Sequence, residues 1–191
     1  MSAASDRDRH DREWLAGLRT GDRVVFEAIF LAYASELWEF AVRYVTPDMA
    51  DDVVQDVLFA LWERRTTIEI ATTLRAYLFG AVRRKAFEYV RHERVVDTAE
   101  LHSGDDPAVW MGEGPALPDA AANLADLEAA LDAALAMLPK RQKAILTLRW
   151  RHGMTYEQIA EAMGISVAAA KMQVLRTQRL IRPLLEQFTR D

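Results

Sequence analysis

Lys171, Gln173, Arg176 and Arg179 follow one another at spacings of two and three residues, with Ser166, Ala168, Ala169 and Met172 interleaved. On a helix, such a set presents cationic and amide groups along one side. In the major groove of a duplex, Lys and Gln can read purine edges, and later arginines meet phosphates. Ala168 and Ala169 either touch a thymine methyl or simply permit close approach. The same residues could also be the solvated basic side of an ordinary bundle. The sequence around them argues against that. Thr155 and Gln158 have capping-box spacing, Gly164 permits a tight turn, Ile165 is an apolar plug, and Ser166 caps the second helix. Residues 155–181 therefore read as a short helix, a turn and a longer basic helix, a helix-turn-helix. Val167, Ala170, Val174 and Leu175 are expected on its buried side, and Pro183 is expected to end or bend it near Arg182.

The chain as a whole is acidic, with net charge −5, so total charge gives no hint of a polyanionic partner. Its distribution does. Residues 1–96 carry −2, residues 97–134 carry −9 with no Lys or Arg, and residues 135–191 carry +6. Local fields decide binding to a polyanion. Apolar residues make up 51% of the 191, enough for a real core. The absence of cysteine excludes disulfides and thiolate metal sites and suits a cytoplasmic chain. The four histidines lack ligand spacing, so no metal or other cofactor is expected, and scattered carboxylates do not make an enzyme. No apolar run approaches the length of a membrane span, and the polar start is unlike a secretory signal.

The elements that must position these residues read as all-α: two small helical domains joined by a flexible acidic linker. The first spans 11–96, the linker 97–122 and the second 123–191. Residues 11–18 form a short helix ending near Gly21. Asp22 caps a helix to about Tyr44 whose Phe26, Ile29, Phe30, Tyr33, Leu37 and Phe40 share one buried face. Thr46 is expected to cap the next helix, with Pro47 at its first position and Asp48 at its positive end. That helix buries Val53, Val54, Val57, Leu58, Leu61 and Trp62. A loop over 66–73 leads to a helix over about 73–93, with Leu74, Tyr77, Leu78, Ala81, Val82 and Phe87 inward. The linker holds three prolines and three glycines, and its apolar Val109, Trp110 and Met111 read equally as an anchor or as local collapse. Leu124, Leu127, Leu131, Leu135 and Leu138 continue at helical spacing. Pro139 can open a further helix, which ends at His152-Gly153.

Taken together, the two blocks resemble the sigma-70 family, specifically the small extracytoplasmic-function type. Residues 21–45 (GDRVVFEAIFLAYASELWEFAVRYV), 48–65 (DMADDVVQDVLFALWERR) and 74–93 (LRAYLFGAVRRKAFEYVRHE) resemble region 2 of that family. Residues 138–181, which contain the helix-turn-helix, resemble region 4. The resemblance implies a sigma subunit that binds core RNA polymerase, recognises −35 and −10 promoter elements and promotes DNA opening. It implies polymerase contact by the segment holding Asp51, Asp52, Gln55, Asp56 and Trp62. It implies −10 contact by Arg75, Arg83, Arg84, Lys85 and Arg91, with a base pocket in the loop over 66–73. It implies −35 contact by Ser166, Ala168, Ala169, Lys171, Met172, Gln173, Arg176 and Arg179. Tyr77 and Phe79 fit core packing better than base stacking. An anti-sigma protein is an implied partner, and the acidic linker either enters the polymerase channel or serves as a tether. This chain departs from the family pattern at Arg84 and Glu88, where relatives often carry Asn and Asp, and at Ala169-Ala170 in place of a Thr-Val pair. Promoter sequence therefore does not transfer. Two other functions fit the same residues: a helix-turn-helix regulator of duplex DNA without sigma activity, and a sigma-like protein-interaction scaffold.

Overall fold

In a computed structural model of the protein, the described residues are 3–96 and 138–188, with side chains described over 10–92, 138–139 and 141–179. The acidic linker, its Val109–Met111 spot and the leucine-spaced helix expected from Asn123 lie outside them. Among the described residues every regular element is helical. The first unit comprises α1 (Ala3–Arg19), α2 (Arg23–Ala41), α3 (Pro47–Glu63) and α4 (Leu74–Val96). The second comprises α5 (Lys140–Leu146), which widens into a π-helical turn at Thr147–Arg151, then α6 (Tyr156–Met163) and α7 (Val167–Phe188).

Several boundaries follow from local chemistry. Asp22 accepts the Val24 and Val25 N–H groups at 2.9 and 3.3 Å, satisfying donors that the first turn of α2 leaves open. Thr46 departs from expectation. Its side chain makes no capping bond, and α3 starts instead with Pro47 at N1 and Asp48 in the first turn. Pro139 sits just outside α5 rather than inside it, its carbonyl accepting the Gln142 and Lys143 N–H groups. Helix α7 continues past Pro183 to Phe188. Proline removes one donor, but its fixed φ is already helical, so the helix passes through it.

In the first unit α2, α3 and α4 pack on one another, with α1 laid across α2 and α4. Ile29, Tyr33, Leu37 and Phe40 of α2 meet Val53, Val54, Val57, Leu58 and Leu61 of α3 and Leu74, Leu78 and Val82 of α4. Phe30, expected on this buried face, is 42% exposed. The helical wheel carries it into the apolar floor of a groove beside α3. Phe79 is fully buried instead, edge-on to Phe40 at 5.0 Å. The reason is that α4 is covered on two sides: α2 and α3 on one, and α6 of the second unit on the other. Gly80 faces α6 so closely that a Cβ there would stand 3.4 Å from Ala162 Cα. One continuous core thus runs from Leu18 to Val174 through both units.

Gly164 holds the turn between α6 and α7 at φ +62°, where an L side chain is strained. An added Cβ would approach only the end of the flexible Arg83 side chain, at 3.4 Å. Backbone strain therefore dominates, and Gly164→Ala is expected to destabilise the protein by about 1–2 kcal/mol. Urea unfolding of both forms checks this, and equal midpoints would contradict it.

Candidate nucleic-acid and protein interfaces

The helix-turn-helix is built as its residue types dictate. Gln158 donates its N–H to Thr155 Oγ1 at 3.3 Å, and the Thr155 N–H returns a bond to Gln158 Oε1 at 2.9 Å, closing a reciprocal capping box. Ile159, Ala160 and Met163 of α6 pack on Ala170 and Val174 of α7, and Ile165 is half-buried between the two helices. Ser166 accepts the Ala169 N–H at 3.1 Å and so starts α7. Ser166, Ala168, Lys171, Met172, Arg176 and Arg179 are exposed, and Ala169 is half-buried. Ala168, Met172, Arg176 and Arg179 follow helical spacing along one ridge, with Lys171 beside it. Met172 is 65% exposed, a large apolar side chain left in water between cations.

Two expectations for α7 change. Val167 is not buried but 43% exposed, since it occupies the first turn, ahead of where α6 crosses. Gln173 turns partly inward, one residue before the buried Val174, rather than standing on the basic ridge. Thr177, not expected in the core, is fully buried and satisfies its hydroxyl by donating to the Gln173 carbonyl at 2.8 Å.

The acidic segment of α3 separates into two groups. Asp51, Asp52 and Gln55 are exposed. Asp51 and Gln55 stand on the rim of an open groove of about 320 Å³ whose floor is Phe30, Ala34, Trp38 and Val54. Sequence reasoning missed this apolar floor because it assigned Phe30 to the core. Asp56 turns toward α4, accepting from Lys85 Nζ at 3.0 Å and from the Tyr89 hydroxyl at 3.1 Å. Trp62 is half-buried against Phe26 and under the Arg65 guanidinium. It therefore supports the α2–α3 packing as well as belonging to this surface.

The cations of α4 are also unequal. Arg84 and Arg91 are exposed. Arg83 is half-buried, stacked over Phe87 at 5.1 Å. Lys85 is committed to Asp56, with Glu88 at 3.7 Å. Arg75 is 5% exposed, so in this arrangement it is not on a DNA-accessible surface. Its guanidinium bonds to the His152 carbonyl at 2.5 Å and to Glu36 at 3.3 Å. Tyr77 is half-buried and Phe79 is core, as their spacing indicated. Among the described residues, no cluster of His, Asp or Glu could hold a metal, and no helix is long and apolar enough to cross a membrane.

These features define a class: an all-helical protein of two units, one bearing a helix-turn-helix and the other a groove with an acidic rim. The profile of Sigma-70 region 2 matches residues 29–95 and that of Sigma-70, region 4 matches residues 128–177. Together they span most of the chain, in order. The chain belongs to the sigma-70 family, in its extracytoplasmic-function group, and so has the role of a sigma factor. The ECF RNA polymerase sigma factor SigL of Mycobacterium tuberculosis is 26% identical over 185 residues, covering 91% of this chain and 96% of the relative. Among solved structures, the sigma factor RpoE in complex with the anti-sigma factor NepR from Bartonella quintana is 25% identical, with TM-score 0.55, over 84% of this chain and 96% of that one. CnrH in complex with the cytosolic domain of CnrY shares the fold with TM-score 0.60 at 22% identity, over 93% of this chain and 97% of that one.

The hydrogen bond that Lys85 donates to Asp56 raises the Lys85 pKa above its ordinary value, against an opposing effect of burial. Because the folded value lies above the unfolded one, this contribution is fully present below the ordinary lysine range. It is lost as pH rises through the raised value. Lys85 is about a third exposed and Asp56 nearly half, so screening keeps the pair small. Asp56→Asn should cost less than about 1 kcal/mol at neutral pH. The gap from the parent should close at strongly alkaline pH in paired urea titrations, and a gap that persists there would assign it to something other than this pair.

Proposed function

We propose that this sigma factor binds core RNA polymerase through the region 2 unit, recognises −35 and −10 promoter elements and promotes DNA opening at the −10 element. The observation that carries this reading is the coexistence, on one chain, of a capped helix-turn-helix with an exposed basic ridge and a region 2 unit with an acidic, apolar-floored groove. A regulator of duplex DNA needs only the first. The groove suits a basic partner helix that inserts an apolar side chain between Trp38 and Phe30 while its cations meet Asp51 and Asp52. Polymerase supplies the catalysis, so the chain needs no catalytic constellation. DNA opening costs unstacking, which captured bases and phosphate contacts by the α4 cations offset. An anti-sigma protein is a partner in the same reading, supported by the similar sigma factor RpoE, which was solved in complex with the anti-sigma factor NepR.

Reconstitution tests the reading directly. Purified chain is added to sigma-free core polymerase on a promoter library, and run-off transcripts are sequenced. Specific starts are expected. DNA binding without polymerase binding would make the chain a conventional regulator, and polymerase binding without open complexes would make it a scaffold. Asp51→Asn with Asp52→Asn should weaken core affinity about tenfold while leaving the melting temperature unchanged. Normal core affinity in the double variant would move the contact surface elsewhere.

Met172 offers a second test within the same reading. An exposed thioether on a groove-reading helix has no hydrogen bond to give, and the apolar group that the major groove presents is the thymine methyl. Replacing each thymine of the selected upstream element by deoxyuridine removes only that methyl. At one or two positions this should weaken binding about three- to tenfold, and Met172→Ala should erase the difference. Sensitivity that survives Met172→Ala would assign methyl reading to another residue.

A further inference from the structure

A buried polar network lies away from the α7 ridge and the α3 groove, where the two units meet. Asp11 reaches from α1 and is 1% exposed. One of its oxygens accepts the Tyr33 hydroxyl at 2.5 Å and the other accepts the backbone N–H of Arg75 at 3.1 Å, 64 residues away. Asp11 thus caps α4 from another helix, fixing the first turn from which the Arg75 side chain departs. The guanidinium crosses to the second unit, donating to the His152 carbonyl and, within its own unit, to Glu36. His152 Nδ1 stands 3.3 Å from the same Glu36 oxygen, and its ring lies on Phe79 at 4.7 Å. At the rim, Arg151 pairs with Glu39 at 2.6 Å, and the Thr72 hydroxyl bonds to Glu161.

The consequence is asymmetric. Arg75 is sealed, Thr72 in the loop before α4 is tied to α6, and Gly80 is pressed against Ala162. The ridge of α7, by contrast, stays in solvent. Docking therefore buries Arg75 and ties down the loop before α4, while Arg84, Arg91 and the duplex-reading ridge stay exposed.

We propose that Arg75 has two mutually exclusive uses: a latch onto His152 and Glu36 while the units are docked, and a phosphate contact once they part. The docked chain reads duplex DNA but withholds Arg75 from single strands. Asp11 is the positioning residue that keeps Arg75 aimed across the interface. The phosphate contact rests on the sigma function proposed for this chain, whereas the latch itself does not.

The chain has no cysteine, so Glu63→Cys and Gln178→Cys, both at exposed positions on opposite units, accept nitroxide labels specifically. Pulsed dipolar spectroscopy on the full chain then reads the distance between units. The parent should give one short distance. Glu36→Gln removes a charge partner of the buried guanidinium and should raise a long-distance population by about tenfold or more. Affinity for a single-stranded oligonucleotide should rise with it, while affinity for the duplex upstream element stays unchanged. Arg75→Met should open the chain equally but gain little single-strand affinity, because the released contact is missing. Glu39→Gln, a change at the half-buried rim, provides a milder opening should Glu36→Gln lose helicity. Unchanged distances in Glu36→Gln and Glu39→Gln would overturn the latch. Equal single-strand gains in Glu36→Gln and Arg75→Met would overturn the second use of Arg75. A shift in distance with no transcription in reconstitution would leave the latch standing and remove the sigma reading, and transcription without the shift would do the reverse.

Discussion

One buried guanidinium sets the terms for much of this structure. Arg75 is almost wholly removed from water, and an unpaired buried charge costs several kcal/mol. The surrounding elements are arranged so that this cost is met. Glu36 supplies the opposite charge and His152 supplies a carbonyl, while Asp11 holds the backbone from which the side chain departs. None of these three is near Arg75 in sequence, so the geometry exists only when α1, α2 and the π-helical turn are all in place. Remove any one and the charge is left partly unmet. A buried ion pair of this kind adds little net stability over apolar packing, but it is intolerant of misplacement. It thereby selects one arrangement of the units among the many that apolar contact alone would allow.

The π-helical turn at Thr147–Arg151 is what makes the His152 carbonyl available. The last carbonyls of any helix lack partners within it. Here the His152 N–H reaches back five residues to Thr147, and the Met154 N–H reaches back to Leu148. Gly153, at φ +61°, then reverses the chain, and Arg149 takes the Met154 carbonyl at 2.7 Å. That leaves the His152 oxygen pointing out of the unit, where Arg75 collects it. A local irregularity in the second unit thus becomes the docking point for the first. Such single-turn widenings recur at functional positions for this reason: they free backbone groups that a regular helix would consume.

Signals confined to a few residues were legible in the sequence. Asp22, the Thr155/Gln158 pair, Gly164 and Ser166 each act within one turn, so residue type and spacing suffice to place them. The ridge at Lys171, Arg176 and Arg179 was legible for the same reason, as was the acidic patch at Asp51 and Asp52. What failed were faces decided by a second neighbour. Periodicity gives one apolar stripe per helix, but α4 has two, because α6 covers a side that the sequence of the first block does not mention. Phe79 reads as core but lies off the α4 stripe, packed on that second partner's side as well, and Phe30 lines an open groove because no helix covers its face of α2. Gln173 and Val167 misled at the same level: a residue at the margin of the buried stripe goes in or out according to where the crossing helix lies. Asp11 and Arg75 were least legible. A polar N-terminal aspartate and a helix arginine carry no sign of one another across 64 residues, and only the fold brings them together.

The two units are small, and small helical units bury a limited fraction of their surface. Their shared core relieves that limit. Phe79, Met154, Ala160 and Ala162 belong to one cluster, so the contact that conceals Arg75 also contributes burial to both units. Separation therefore exposes apolar surface on α4 and α6 together with a charged side chain that has lost its partners. A chain in this position cannot be opened by DNA phosphate alone, since a phosphate replaces Glu36 but not the lost apolar contact. Whatever parts the units must cover α4, α6 or both with apolar surface of its own.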